Sequence, residues 1–201
     1  MLDAKLRPLI DPPLNAIGRW LARVGIGANA VTLAGIVLGI GAGIAAARAD
    51  FGLALVLILA NRLLDGLDGA VARATRLSDF GGYLDIVGDF VFYAAVPLGF
   101  GLAAPANQLP AMVLLASFIL TGISFLAFAA IAAKRGLETQ AHGRKSFFYN
   151  TGLAEGTETI LVFVAMALLP QHFAVIAFGY SGLCLLTVLQ RTLIAWQTFD
   201  G

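Results

Sequence analysis

Charge is what this sequence has least of. Only 12% of its 201 residues are Asp, Glu, Lys or Arg, and 59% are hydrophobic. Soluble domains carry roughly 25% charged and about 45–50% apolar residues. A single core of this size cannot hide so much apolar surface, so lipid must be the solvent for much of the chain. Cysteine is nearly absent as well. Cys184 stands alone in an apolar run, which excludes an intramolecular disulfide or a thiolate cluster and leaves a small core side chain. The two histidines, His142 and His172, fall in connections far from the acidic residues, which argues against zinc. With a net charge of +1 there is no basic footprint, and nucleic acid is excluded as a partner. No apolar signal segment is expected near Met1, where the first 13 residues are polar and broken by prolines. No repeat, linker or low-complexity tract divides the chain. One domain over 1–201 is expected, a cytoplasmic or interfacial segment (1–28) leading into a membrane core (29–201).

Long apolar runs are what is there. Six segments approach the roughly 20 residues needed to cross a bilayer: 30–47, 53–74, 83–103, 109–133, 153–169 and 173–196. Ahead of them, residues 9–24 space Leu14, Ile17, Trp20 and Leu21 around Arg19 and Arg23, the pattern of an amphipathic helix lying in the interface. The expected fold is therefore all-α and integral to the membrane, with six transmembrane helices behind one interfacial helix. Basic residues set its orientation. Lys5, Arg7, Arg19 and Arg23 precede the first span; Arg73 and Arg76 follow the second; Lys134, Arg135, Arg144 and Lys145 follow the fourth. The opposite side has only Arg48. Both termini are expected in the cytoplasm, in an inner or plasma membrane. Gly39 and Gly43 form a small-xxx-small pair suited to close helix approach.

Four aspartates sit where a membrane should exclude them. Asp65 and Asp68 are three apart, and Asp85 and Asp89 are four apart, in consecutive spans. Each pair shares a helical face, and a short connection makes the two helices antiparallel neighbours. Ionised carboxylates at such depth cost several kcal/mol each, and only Arg62, Arg73 and Arg76 are close in sequence. Divalent cations would supply the missing charge, and carboxylates suit Mg²⁺, Mn²⁺ or Ca²⁺. The neighbouring glycines Gly66, Gly69, Gly81 and Gly82 are expected to let a ligand approach the backbone.

Asp65-x-x-Asp68-Gly69-x-x-Ala72-Arg73, followed by Gly81-x-x-x-Asp85-x-x-x-Asp89, resembles the signature of the CDP-alcohol phosphotransferases. All eight fixed positions are present, and the spacer of seven residues between Arg73 and Gly81 is one shorter than the pattern as commonly written. The resemblance implies an enzyme of phospholipid synthesis, moving a phosphatidyl group from CDP-diacylglycerol to a small alcohol and releasing CMP. It implies Mg²⁺ or Mn²⁺, two ions, on Asp65, Asp68 and Asp85. Asp89 is implied as the general base, or alternatively as a fourth ligand. The nucleotide is expected at Asp65, Asp68, Gly69, Ala72, Arg73, Gly81 and Asp85. A homodimer is implied too. Residues 28–32, with Asn29 and Thr32, are similar to the family's entry to the first span; Asn29 is expected to cap that helix, and Thr32 to approach the nucleotide.

The acceptor stays open at this point. Lys134, Arg135, Arg144 and Lys145 would suit a phosphorylated polyol, glycerol phosphate or inositol phosphate, or serve topology alone. Glu155 and Glu158 would suit an amine alcohol such as choline, ethanolamine or serine, or pair with Arg62 or Arg191. The weight leans to the phosphorylated polyol. Two rivals are less well matched: an intramembrane prenyltransferase, whose aspartates are spaced differently, and a cation transporter, whose acids would be spread through the membrane's depth.

Overall fold

The computed structural model describes residues 3–137 and 152–200, with residues 3–9 by their backbone only. These residues form helices and short connections, with no strand among them. In chain order the helices are α1 (Asp3–Arg23), α2 (Ala28–Ala47), α3 (Phe51–Ala74), α4 (Asp79–Ala103), α5 (Gln108–Lys134), α6 (Gly156–Leu168) and α7 (Phe173–Phe199). Single 3₁₀ turns at Pro105–Asn107 and Pro170–His172 lead into α5 and α7. Local chemistry fixes the starts of the two acid-bearing helices. Asp50 accepts a hydrogen bond from Leu53 N (3.0 Å) to cap α3, and Ser78 accepts one from Gly81 N (3.0 Å) to cap α4. At α2 the N-cap is Gly27 with no side-chain bond, so Asn29 does not cap it.

The helix α2 packs against both α3 and α4, α1 lies along α3, α5 joins α4 to α7, and α6 leans on α3. Glycine sets the closest of these approaches. A methyl group at Gly43 would overlap the backbone of Ala95, and one at Gly99 would overlap the backbone of Gly43. Around this crossing lies the core, in which Phe51, Phe100 and Phe173 stack at centroid distances of 5.3 and 5.0 Å. Phe92, Tyr93, Phe118 and Phe163 make a second aromatic cluster. Cys184 is buried, as a core side chain should be. Outward faces carry large apolar residues such as Val37 on α2, Ile119 on α5 and Val175 on α7, a surface suited to lipid.

Four stretches are long and apolar enough to cross a membrane: Ala28–Ala47, Asp79–Ala103, Pro105–Lys134 and Pro170–Phe199. The expectation of six is met only in part. At 24 residues α3 has the length, but it carries Arg62, Asp65, Asp68 and Arg73. By contrast α6 is apolar but has only 13 residues, roughly 20 Å at 1.5 Å per residue against a hydrocarbon core of about 30 Å. It is short because residues 152–155 form a turn instead of helix, with Gly152 N donating to Glu155 Oε1 (3.0 Å) and Ala154 N to Thr187 Oγ1 (2.9 Å).

The amphipathic helix extends further than its apolar spacing indicates, back to Asp3 and through Pro8, Pro12 and Pro13. Its Leu14, Leu21 and Ala22 pack on Val31, Leu67 and Val71, while Ile17, Trp20 and Val24 stay exposed. Gly66 faces Leu14, whose Cδ1 would stand 2.7 Å from an added methyl, and Gly18 faces Ala70 likewise. Gly66 thus serves helix packing, which corrects its reading as a ligand-approach glycine. The crossing geometry predicts opposite signs for two Gly→Ala changes. Gly99→Ala should lower the thermal midpoint in detergent, an overpacking cost of about 1–3 kcal/mol. Gly182→Ala, in α7 with nothing within 4 Å, should leave it unchanged or raise it by up to ~1 kcal/mol.

Candidate active site

A cleft opens where α2, α3 and α4 meet. It is lined by Thr32, Gly35 and Ile36 from α2, by Asn61, Arg62, Asp65 and Asp68 from α3, and by Asp85, Gly88 and Asp89 from α4. All four signature aspartates therefore face one space, as the helical spacing requires. Among the lining residues, four carboxylates face a single guanidinium. Asp68 is buried (6% exposed), with the Thr32 hydroxyl against it; that hydroxyl is also 3.1 Å from the Ala28 carbonyl. The side chains of Asp65 and Asp89 keep 37% and 31% of their surface exposed. Among the described residues, no three acids, histidines or cysteines are gathered tightly enough to cage an ion unaided.

The local order of the cleft comes from a chain of polar contacts. Asn61, 3% exposed, donates Nδ2 to the Gly35 carbonyl (2.8 Å) and accepts from Arg62 Nε (2.7 Å). Arg62 Nη1 then donates to Asp89 Oδ1 (2.9 Å) and lies 3.6 Å from Asp65 Oδ2. Its guanidinium carbon sits 4.3 Å from the centre of the Phe92 ring. Sequence reasoning missed Asn61, Gly35, Ile36 and Gly88. The detectable signal was an asparagine closing the apolar run Leu57–Ala60, a position where a polar amide in a span implies a partner.

The other sequence-predicted residues lie outside the lining. Arg73 folds back over Gly69, where an added methyl would meet Nη1 at 3.1 Å, and its Nη2 donates to Asn15 of α1 (3.1 Å). Ala72 is half-buried on the same turn. Gly81 is hemmed by the Ser78 cap and by Asn29, at 3.0 and 3.3 Å from an added methyl. Lys134 is exposed at the end of α5. Arg135 donates to the Phe199 carbonyl (2.7 Å) and sits over that ring, which ties it to the end of α7. Arg144 and Lys145 lie outside the described residues. Glu155 is the residue before α6 and not part of it, with ψ of −175°, so it does not share a helical face with Glu158. Arg62 is engaged by Asp89 and Asp65 and not by either glutamate; Arg191 donates to the Thr121 carbonyl (3.0 Å) and has a further contact besides.

Four carboxylates thus line one cleft between consecutive helices of an integral membrane protein. The chain belongs to the CDP-alcohol phosphatidyltransferase family, whose model matches residues 26–196, and it is an enzyme of that class. Inner membrane protein YnjF of Escherichia coli K12 is 49% identical to it over 202 residues, spanning 100% of this chain and 98% of that protein. Archaetidylinositol phosphate synthase of Pyrococcus horikoshii is 37% identical over 100 residues, 49% of this chain and 53% of that protein. The fold is shared with the phosphatidylinositol phosphate synthase PgsA1 of Mycobacterium tuberculosis. Its crystal structure with CDP-DAG bound has a TM-score of 0.74 at 20% identity, over 91% of this chain and 93% of that one. The same enzyme in complex with manganese and citrate gives 0.73.

Asn61 is the residue whose loss should be most visible in the scaffold of the cleft. Asn61→Leu removes the side-chain bond to the Gly35 carbonyl and strands Arg62 Nε. It should cost about 1–3 kcal/mol, measured as a lower thermal midpoint of the purified protein, whereas an unchanged midpoint would contradict the polar chain described above.

Proposed function

We propose that this enzyme transfers a phosphatidyl group from CDP-diacylglycerol to the hydroxyl of a small polar alcohol, a phosphorylated polyol, with release of CMP. The observation that carries the reading is the placement of Asp65, Asp68, Asp85 and Asp89 around one cleft, in the signature's order and on consecutive helices. Supporting it are the CDP-DAG held by a protein of the same fold and the archaetidylinositol phosphate product named for the Pyrococcus relative.

The donor set fits a divalent cation: hard oxygen ligands, strongly anionic in sum, and too open to complete a coordination sphere alone. Mg²⁺ and Mn²⁺ sites of this kind are finished by substrate phosphates. Asp65, Asp68 and Asp85 would hold the ions, two of them by the family's example. When bound, the metal would neutralise the diphosphate and polarise the attacked phosphorus. The protein's own residues do the rest. Asp89 takes the proton from the acceptor hydroxyl as its oxygen forms the new bond to phosphorus, and the bond from that phosphorus to the CMP oxygen breaks. Thr32 and Gly88 bound the α2 and α4 sides of the cleft. Gly69, Ala72, Arg73 and Gly81 lie toward the α3–α4 connection, where the cytidine would sit.

For the acceptor, Glu155 already receives the Gly152 amide, which weakens its claim to an amine alcohol. That favours a phosphate-bearing acceptor recognised by Lys134 and the basic residues that follow it. Crossing by α3 and α6 in addition to the four long apolar stretches would make six spans. Both termini and the cleft would then lie on the cytoplasmic side, where the basic connections are. The test is CMP release by purified protein from CDP-diacylglycerol with Mg²⁺ or Mn²⁺, over a panel of glycerol 3-phosphate, inositol phosphate, inositol, serine and choline. Release should depend on a phosphorylated polyol, vanish with EDTA, and fall about 10³-fold in Asp89→Asn. Release driven by choline or serine instead would reverse the acceptor assignment, and an unchanged rate in Asp89→Asn would remove its role as base.

A further inference from the structure

The residue that neither the signature nor the reaction accounts for is Arg62. Among the described residues it is the only cationic side chain lining the cleft, and it is held there from several sides. Its side chain is 11% exposed. The guanidinium lies 4.3 Å from the Phe92 ring centre and 6.0 Å from that of Tyr93. Nε is tied through Asn61 to the α2 backbone. With the stem, one face and Nε fixed, Nη1 can reach only the space between Asp89 and Asp65, where it lies 2.9 and 3.6 Å from their oxygens.

Here the arginine is desolvated, while both carboxylates still open onto the cleft. We propose that Arg62 is a positioning residue and the resident counter-ion of this cleft, holding Asp89 in place and sharing Asp65, so that an arriving divalent cation must compete with it for those carboxylates. The inference deepens the metal and diphosphate reading given above and rests on it. Its consequence is a division of labour among the four acids. Asp89, bound at 2.9 Å, is kept beside Arg62 and out of the ligand set. Asp65, at the looser 3.6 Å, can be surrendered to the ion. A guanidinium suits this task because Nη1 faces both carboxylates while Nε stays bonded to Asn61, and it is never deprotonated in a protein.

The experiment is a titration of the full-length protein in detergent with Mn²⁺ alone, followed by electron paramagnetic resonance, for wild type, Arg62→Gln and Arg62→Lys. CDP binding and the thermal transition are recorded alongside. Removing a competing charge should tighten Mn²⁺ binding, by about tenfold in Arg62→Gln. Arg62→Lys, which keeps the charge but loses the Nε bond to Asn61, should tighten it by about threefold. Mn²⁺ binding that is equal or weaker in either variant, with its thermal transition retained, overturns the proposal. If the glutamine variant does not fold, the lysine variant decides by the same criterion. Wild-type protein that binds neither Mn²⁺ nor CDP would instead refute the metal and diphosphate reading, whereas wild type binding both without tightening in the variants refutes the role of Arg62 alone.

Discussion

Four carboxylates in a chain this apolar must be balanced by something, and the structure is arranged around that balance. Each ionised group away from water costs several kcal/mol when uncompensated. Among the residues lining the cleft, one guanidinium offsets part of that charge. The remainder is what, in the function proposed above, would draw cations and, through them, a diphosphate. Arg62 serves this purpose only because it is anchored to α2 through Asn61 and to α4 through Phe92 and Asp89. The electrostatics of the site and the packing of three helices are thus one problem.

The packing has its own requirement. The contact between α2 and α4 is close enough that Gly43 and Gly99 leave no room for a methyl group. Gly88, beside Asp89, faces Ile36 in the same way, at 2.9 Å from an added methyl. Small residues bring backbones together where lipid supplies no hydrophobic drive for association. Here they bring Thr32 of α2 against Asp68 of α3 and within one cleft of Asp85 and Asp89. On the other side of α3, α1 covers the helix with Leu14 and Leu21 and ties down Arg73 through Asn15.

Much of this was legible in the sequence. Aspartates spaced three and four apart in consecutive helices must share faces, and the cleft confirms that Asp65, Asp68, Asp85 and Asp89 meet. The partner of Arg62 was not legible, because Asp89 is 27 residues away and the pairing depends on how α3 crosses α4. For the same reason Gly66 read as a ligand-approach glycine when its neighbour is Leu14, a contact set by the docking of α1. The late start of α6 was hidden too. Residues 153–169 read as one span only if Glu155, Thr157, Glu158 and Thr159 are tolerated, and the hydrogen bonds of Gly152 and Ala154 show that the chain turns before it becomes helical.

Four carboxylates that form a metal and nucleotide site should hold both ligands together in the cleft. The most direct measurement is anomalous diffraction at the manganese edge from crystals of the protein grown with Mn²⁺ and CDP. A peak within the cleft between α3 and α4, in contact with Asp65, Asp68 and Asp85 and with the diphosphate beside it, is the predicted result. Manganese bound elsewhere, or CDP bound away from the cleft, would contradict the central claim.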